Sequence, residues 1–163
     1  MGKQRTVRLA DLKGLLNGLY THKLAEEWDN VGLQVGDPVA PIERILVCLD
    51  AEESAVQEAE KCGAQLIVSH HPLIFKGLKR LTPTDETGRV LFRAIQQKIA
   101  IYSAHTNLDR AADGLNDWLA GRLGLENCQP LEKPQTAGFY KLVVFVPRGH
   151  EGELMDALYA AGA

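Results

Sequence analysis

Three short, mostly apolar runs constrain the fold more than any other feature of the sequence: Ile45–Leu49, Gln65–Ser69 and Ile99–Ser103. They are too brief to be buried helices, and the first has no polar position that would suit a wet sheet face. Each is therefore expected to be a strand, with 45–49 covered on both sides. The segments between them carry helical spacing. Residues 52–61 place Ala55, Val56 and Ala59 on one side, with Gly63 where a left-handed C-cap is wanted. Residues 85–98 carry Val90, Leu91, Ala94 and Ile95 as a stripe, with Thr84 placed to cap them. A further helix is expected at 114–123, bearing Leu115, Trp118, Leu119 and Leu123. Upstream, Leu9, Leu12, Leu15, Leu16 and Leu19 recur at three- and four-residue spacing after a candidate Thr6 cap, and 27–38 reads as loop, short strand and turn. Strand and helix in strict alternation predict an α/β fold. Its sheet is expected to be mainly parallel, with right-handed crossovers and helices on both faces.

At 163 residues the chain has room for one domain and part of a second. Residues 126–138 are rich in turn formers and read as a linker, followed by a strand at 140–146 closed by Pro147 and a helix at 151–161. No apolar run approaches the roughly 20 residues needed to span a bilayer. The apolar residues near the N-terminus are interrupted by Asp11, Lys13 and Asn17, unlike the core of a signal peptide. A cytoplasmic protein is the expectation. The formal net charge of −3 provides no global footprint for a nucleic-acid backbone. Cys48, Cys62 and Cys128 are odd in number and widely spaced, and they are expected to be reduced thiols.

In open parallel sheets ligands gather at the carboxyl ends of the strands. Here strand 45–49 delivers Asp50, strand 65–69 delivers His70 and His71, and strand 99–103 delivers His105 and then Asp109. Adjacent histidines on a regular strand would face opposite ways. Pro72 halts the strand, however, and lets the two rings splay toward neighbouring positions, as two metal ions about 3.5–4 Å apart would require. A lone histidine at a strand end is more often structural; the His-His-Pro turn aligned with the His-Thr-Asn-Leu-Asp loop is what points to metal. Asp50 is read either as a hydrogen-bond acceptor behind a ligating histidine or as the cap of the following helix. Trp28, Asp29 and Asn30 either line the site or anchor their loop. Lys76, Lys79 and Arg80 suit a phosphate or a solvated face equally. His150, at a helix start in the later unit, is read as a surface residue.

The segments Trp28–Gly36, Ile67–Phe75 and Tyr102–Asp109 resemble the GTP cyclohydrolase 1 type 2 homologue family, also called Nif-three-like dinuclear metal centre proteins. The likeness covers nearly the whole chain. It implies a Nif-three-like α/β metal-binding domain over 1–125 and, from 139 to 163, the start of an insert resembling the PII and CutA proteins. It further implies two divalent ions (zinc, iron or manganese) held by His70, His71 and Asp109, with His105 as an additional ligand or acid/base group. Family members complete the centre with a histidine and a glutamate four residues apart near the C-terminus. This sequence has no such pair, so the expectation is an N-terminal portion with an incomplete centre. Homohexameric assembly and metal-dependent hydrolysis of a nucleotide are implied; a non-catalytic metal-binding scaffold is the alternative.

Overall fold

A parallel strand pair needs a crossover long enough to carry the chain back, and the helical segments between the apolar runs provide it. In a computed structural model, which describes residues 6–130 and 142–162, the order is α1 (Leu9–Leu19), a 3-10 turn (His22–Leu24), β1 (Gly32–Val35), β2 (Ile45–Cys48), α2 (Glu53–Cys62), β3 (Leu66–Ser69), α3 (Glu86–Gln96), β4 (Ala100–Ser103), α4 (Thr106–Asp109), α5 (Leu115–Arg122) and α6 (Glu151–Ala160). The strands form one mixed sheet ordered β1-β4-β3-β2. β2, β3 and β4 run parallel, and β1 lies antiparallel on the edge against β4. The expected α/β class with a mainly parallel sheet is what the chain adopts.

Two apolar clusters sandwich this sheet. On one face Val56 and Ala59 of α2 and Val90 and Ala94 of α3 meet Ile67 and Ile101. On the other, Leu9, Leu12 and Leu16 of α1 pack with Leu66, Ala100 and Tyr102. Gly63 closes α2 in the left-handed conformation at φ 69°, its N–H reaching the carbonyls of Ala59 and Glu60.

The sequence expectations need several adjustments. β2 is an edge strand rather than a fully covered one, and the alternating Ile45, Val47 and Leu49 stand exposed, Val47 at 75%. Its apolar run is that of a buried strand, yet the cluster under α1 takes in residues of β1, β4 and β3 and none of β2. Leu15 and Leu19 of α1 are also exposed, while Leu9, Leu12 and Leu16 face the sheet. The caps also shift by one or two residues: Arg8, not Thr6, precedes α1, and Asp85, not Thr84, caps α3 through a 2.7 Å bond from the Gly88 N–H. Finally, the His-Thr-Asn-Leu-Asp loop contains the one-turn helix α4.

Contacts divide the chain into two units, 1–128 and 129–163. In the second, residues 142–146 form no strand among the described residues, and α6 begins after His150. Residues 131–138 of the expected linker, together with Phe139, Tyr140 and Lys141, lie outside the described residues. Among the described residues no helix is long and apolar enough to cross a membrane.

Candidate metal centre

The register of the three parallel strands sets the site. Cys48 is level with Ser69, and Ser69 with Ser103, so the residues that leave these positions emerge side by side at one sheet edge. The ladder continues past the strands. His70 N–H donates to the Cys48 carbonyl at 3.2 Å, His71 N–H to Leu49 at 3.0 Å, and Ala104 N–H to Ser69 at 2.9 Å. Beneath them Ser69 Oγ donates to the His71 carbonyl at 2.9 Å. With its single proton so used, Ser69 accepts from Ser103 Oγ at 3.0 Å, and both serines are buried. A small hydroxyl at each strand end thus ties the His-His turn to its neighbour.

Three imidazoles converge above this base. Ring centroids of His70 lie 5.0 Å from both His71 and His105, and His71 and His105 are 5.5 Å apart. One ring nitrogen from each falls within 4.8 Å of the others. Every Nδ1 is turned away and engaged. His70 Nδ1 lies 3.0 Å from the Ala104 carbonyl, His71 Nδ1 2.7 Å from Asp50 Oδ1, and His105 Nδ1 3.0 Å from Asp29 Oδ1. A carbonyl or carboxylate can only accept, so each Nδ1 carries a proton and donates. In the neutral ring the lone pair is then left on Nε2. This outer arrangement is the one that orients metal-ligating histidines.

Asp29 is the most enclosed member, its side chain fully buried. Its second oxygen accepts from Thr106 N–H at 3.1 Å and from the Thr106 hydroxyl. That hydroxyl must donate, because a carboxylate can only accept, and its oxygen in turn accepts from Glu26 N–H at 3.0 Å. Burial pushes the Asp29 carboxyl upward, but hydrogen bonds from Thr106, His105 and Asn30 outweigh it and hold the group below the usual carboxylate range. Asp109, from α4, brings Oδ1 to 3.8 Å from His70 Nε2. Carboxylates of Asp29, Asp50 and Asp109 thus surround three imidazoles, a field that favours a cation.

The structure gathers His70, His71 and His105 in one cluster, while Asp109 stands outside it and approaches His70 alone. It also decides Asp50, which holds His71 while Glu52 takes the N-cap of α2. His150 stands exposed beside Glu153 at the start of α6. What sequence reasoning missed is the outer layer. The sequence leaves Asp29 either lining the site or anchoring its loop, and assigns Thr106, Ser69 and Ser103 no role at the site. The available signal was positional: each serine ends its strand at the same register, one or two residues before a histidine.

Donor chemistry fits a divalent transition metal. Two ligands of one tetrahedral ion stand about 3.3 Å apart for bonds near 2.0–2.1 Å. A spread of up to 4.8 Å leaves room for the rings to close on one ion or to be shared between two.

Comparison with known proteins gives one consistent answer. A family model described as Duf34/NIF3 (NGG1p interacting factor 3) matches residues 7–157. A protein named GTP cyclohydrolase 1 type 2 homolog from Halalkalibacterium halodurans is 44% identical over 140 residues, covering 86% of this chain and 38% of its own. Its namesake from Bacillus subtilis is 41% identical over 139 residues, covering 85% and 37%. Among solved structures, a Bacillus cereus protein related to NIF3 superposes with a TM-score of 0.72 at 40% identity, over 76% of this chain and 34% of that one. Reduced HcgD from Methanocaldococcus jannaschii gives 0.71 at 35% identity, over 78% and 51%. The chain spans about two fifths of the length of these curated relatives.

Proposed function

The chain belongs to the Duf34/NIF3 family, and on that premise we propose that it contributes the strand-end half of a divalent-metal centre serving hydrolysis of a nucleotide or a related substrate. The observation that carries the reading is the common tautomer of the three histidines: each Nδ1 is committed to an acceptor behind it, and the ligand nitrogens gather on one side. Structural histidines scattered at loop ends have no reason to share that arrangement.

His70, His71 and Asp109 are the ligands in this reading, and His105 joins them or moves a proton at its Nε2. A bound divalent ion would supply water of pKa near 7 and polarise the bond under attack. Asp29 and Asp50 hold the His105 and His71 rings in plane and increase their basicity. Asp109, half-exposed beside His70, is the anionic donor that the imidazoles lack. Three imidazoles and one carboxylate supply four donors. That is enough for one ion and too few for two, so a second ion draws on residues outside this set. Cytoplasmic location, homohexameric assembly and residues 139–163 as the opening of a PII/CutA-like insert belong to the same proposal.

Alanine at His70 and at His71 tests the catalytic part. Loss of nucleotide turnover with the oligomer intact supports a hydrolase. Loss of assembly, with no turnover detectable even in the parent, supports a metal-binding scaffold instead.

A further inference from the structure

The histidine cluster adjoins two aromatic side chains that the fold leaves uncovered. Trp28 is 60% exposed and Phe75 46%, and neither joins an apolar core cluster. Their ring centroids lie 5.9 Å apart at an interplanar angle of 56°, and Trp28 meets His105 edge-on at 6.3 Å and 74°. A tryptophan that merely anchors a loop gains by covering its faces. Trp28 does not do so, although it touches a side chain of the candidate metal centre.

The backbone beside these rings is nonetheless held firmly. Asn30 Nδ2 donates to the Ile74 carbonyl, Ile74 N–H donates to Gln34 Oε1 at 3.1 Å, and Gln34 Nε2 donates to the Asn30 carbonyl at 2.8 Å. Asp29, next to Trp28, is pinned by His105 and Thr106. Two loops are therefore bracketed together at the residues adjoining each ring, and little ordering cost remains when a ligand arrives. Two rings inclined at 56° make a wedge. A flat aromatic guest can stack on one face while meeting the other edge to face, the two arrangements that aromatic pairs prefer.

We propose that Trp28 and Phe75 form a ring-binding subsite at the mouth of the metal centre and take the planar aromatic heterocycle of its substrate by stacking. The inference rests on the metal-centre reading for its position beside the reacting atoms, and it adds the recognition element that the histidines do not provide. Single bases stacked on an aromatic side chain lose roughly tenfold or more in affinity when that side chain is cut to alanine.

Calorimetric titration with adenosine 5′-monophosphate and ribose 5-phosphate tests this, because the two share the sugar phosphate and differ only by the ring. The expected result is at least about tenfold tighter binding of the ring-bearing probe. Trp28→Ala abolishes that preference, Trp28→Phe keeps most of it, and zinc affinity is unchanged in both. Equal binding of the two probes by the parent, or an intact preference in Trp28→Ala, overturns the proposal. If Trp28→Ala fails to fold, Phe75→Ala decides by the same preference. A parent that prefers the ring through Trp28 yet takes up no zinc leaves the subsite standing and defeats the metal reading.

Discussion

Replacing Asp29 by asparagine changes one atom of the site and should reverse the tautomer of His105. The aspartate accepts from four donors: His105 Nδ1–H and the Asn30 N–H on Oδ1, and the Thr106 N–H and hydroxyl on Oδ2. An amide has one accepting oxygen; set toward the Thr106 N–H and hydroxyl, the latter already accepting from Glu26, it leaves the NH2 group facing the Asn30 N–H and His105 Nδ1, of which only the imidazole can change role. The imidazole then satisfies the contact by accepting at Nδ1, which moves its proton to Nε2, the nitrogen turned toward the cluster. Loss of such an outer partner costs about 10- to 100-fold in metal affinity, or about 1.4–2.8 kcal/mol. Losing one charge-assisted bond at this buried carboxylate should also lower folding stability by about 1.5–3 kcal/mol. Zinc affinity by competition titration and the proton position by 15N NMR of the imidazole read the two effects separately. In a His105→Ala background the same substitution should leave zinc affinity unchanged, since its effect passes through that ring. Wild-type zinc affinity in Asp29→Asn, with His105 still protonated at Nδ1, would refute the reasoning.

Other consequences can be checked by routine measurements. Ile101→Ala, at a fully buried position facing both α2 and α3, should cost about 2–5 kcal/mol in chemical denaturation, whereas Val47→Ala on the exposed edge should stay within about 0.5 kcal/mol. Ser69→Ala removes the donor to the His71 carbonyl and the acceptor for Ser103, and should destabilise by about 1–3 kcal/mol in the same assay. Burial, with Asp50 and Glu52 nearby, raises the Cys48 thiol above its ordinary pKa and so lowers its thiolate fraction near neutral pH. Exposed Cys128 should therefore react with a disulfide reagent well before Cys48, as peptide mapping of partially labelled protein will show.

Much of this architecture was readable from spacing alone, because a buried parallel strand and an amphipathic helix leave different apolar periods. β3, β4, α2 and α3 fall where the pattern placed them, within a residue or two. What period could not reveal was the neighbour. Ile45, Val47 and Leu49 look as apolar as Leu66, Ile67 and Val68, yet β2 lies at the sheet edge while β3 lies inside. Strand order depends on contacts between segments far apart in sequence, and a local run does not encode it. The histidines were legible for a related reason: short polar interruptions at the ends of apolar strands stand out. The role of Asp29 stayed open between lining the site and anchoring its loop, because His105 and Thr106 lie 76 and 77 residues away. α4 was hidden too, since a single turn of Thr-Asn-Leu-Asp has no periodicity to detect.

X-ray absorption at the zinc edge of the reconstituted protein tests the central claim most directly. The account predicts a first shell of nitrogen and oxygen near 2.0–2.1 Å with the outer-shell scattering of two or more imidazoles. That imidazole signal should diminish in His70→Ala and in His71→Ala. A zinc site without imidazole scattering, or a spectrum indifferent to both substitutions, would contradict it.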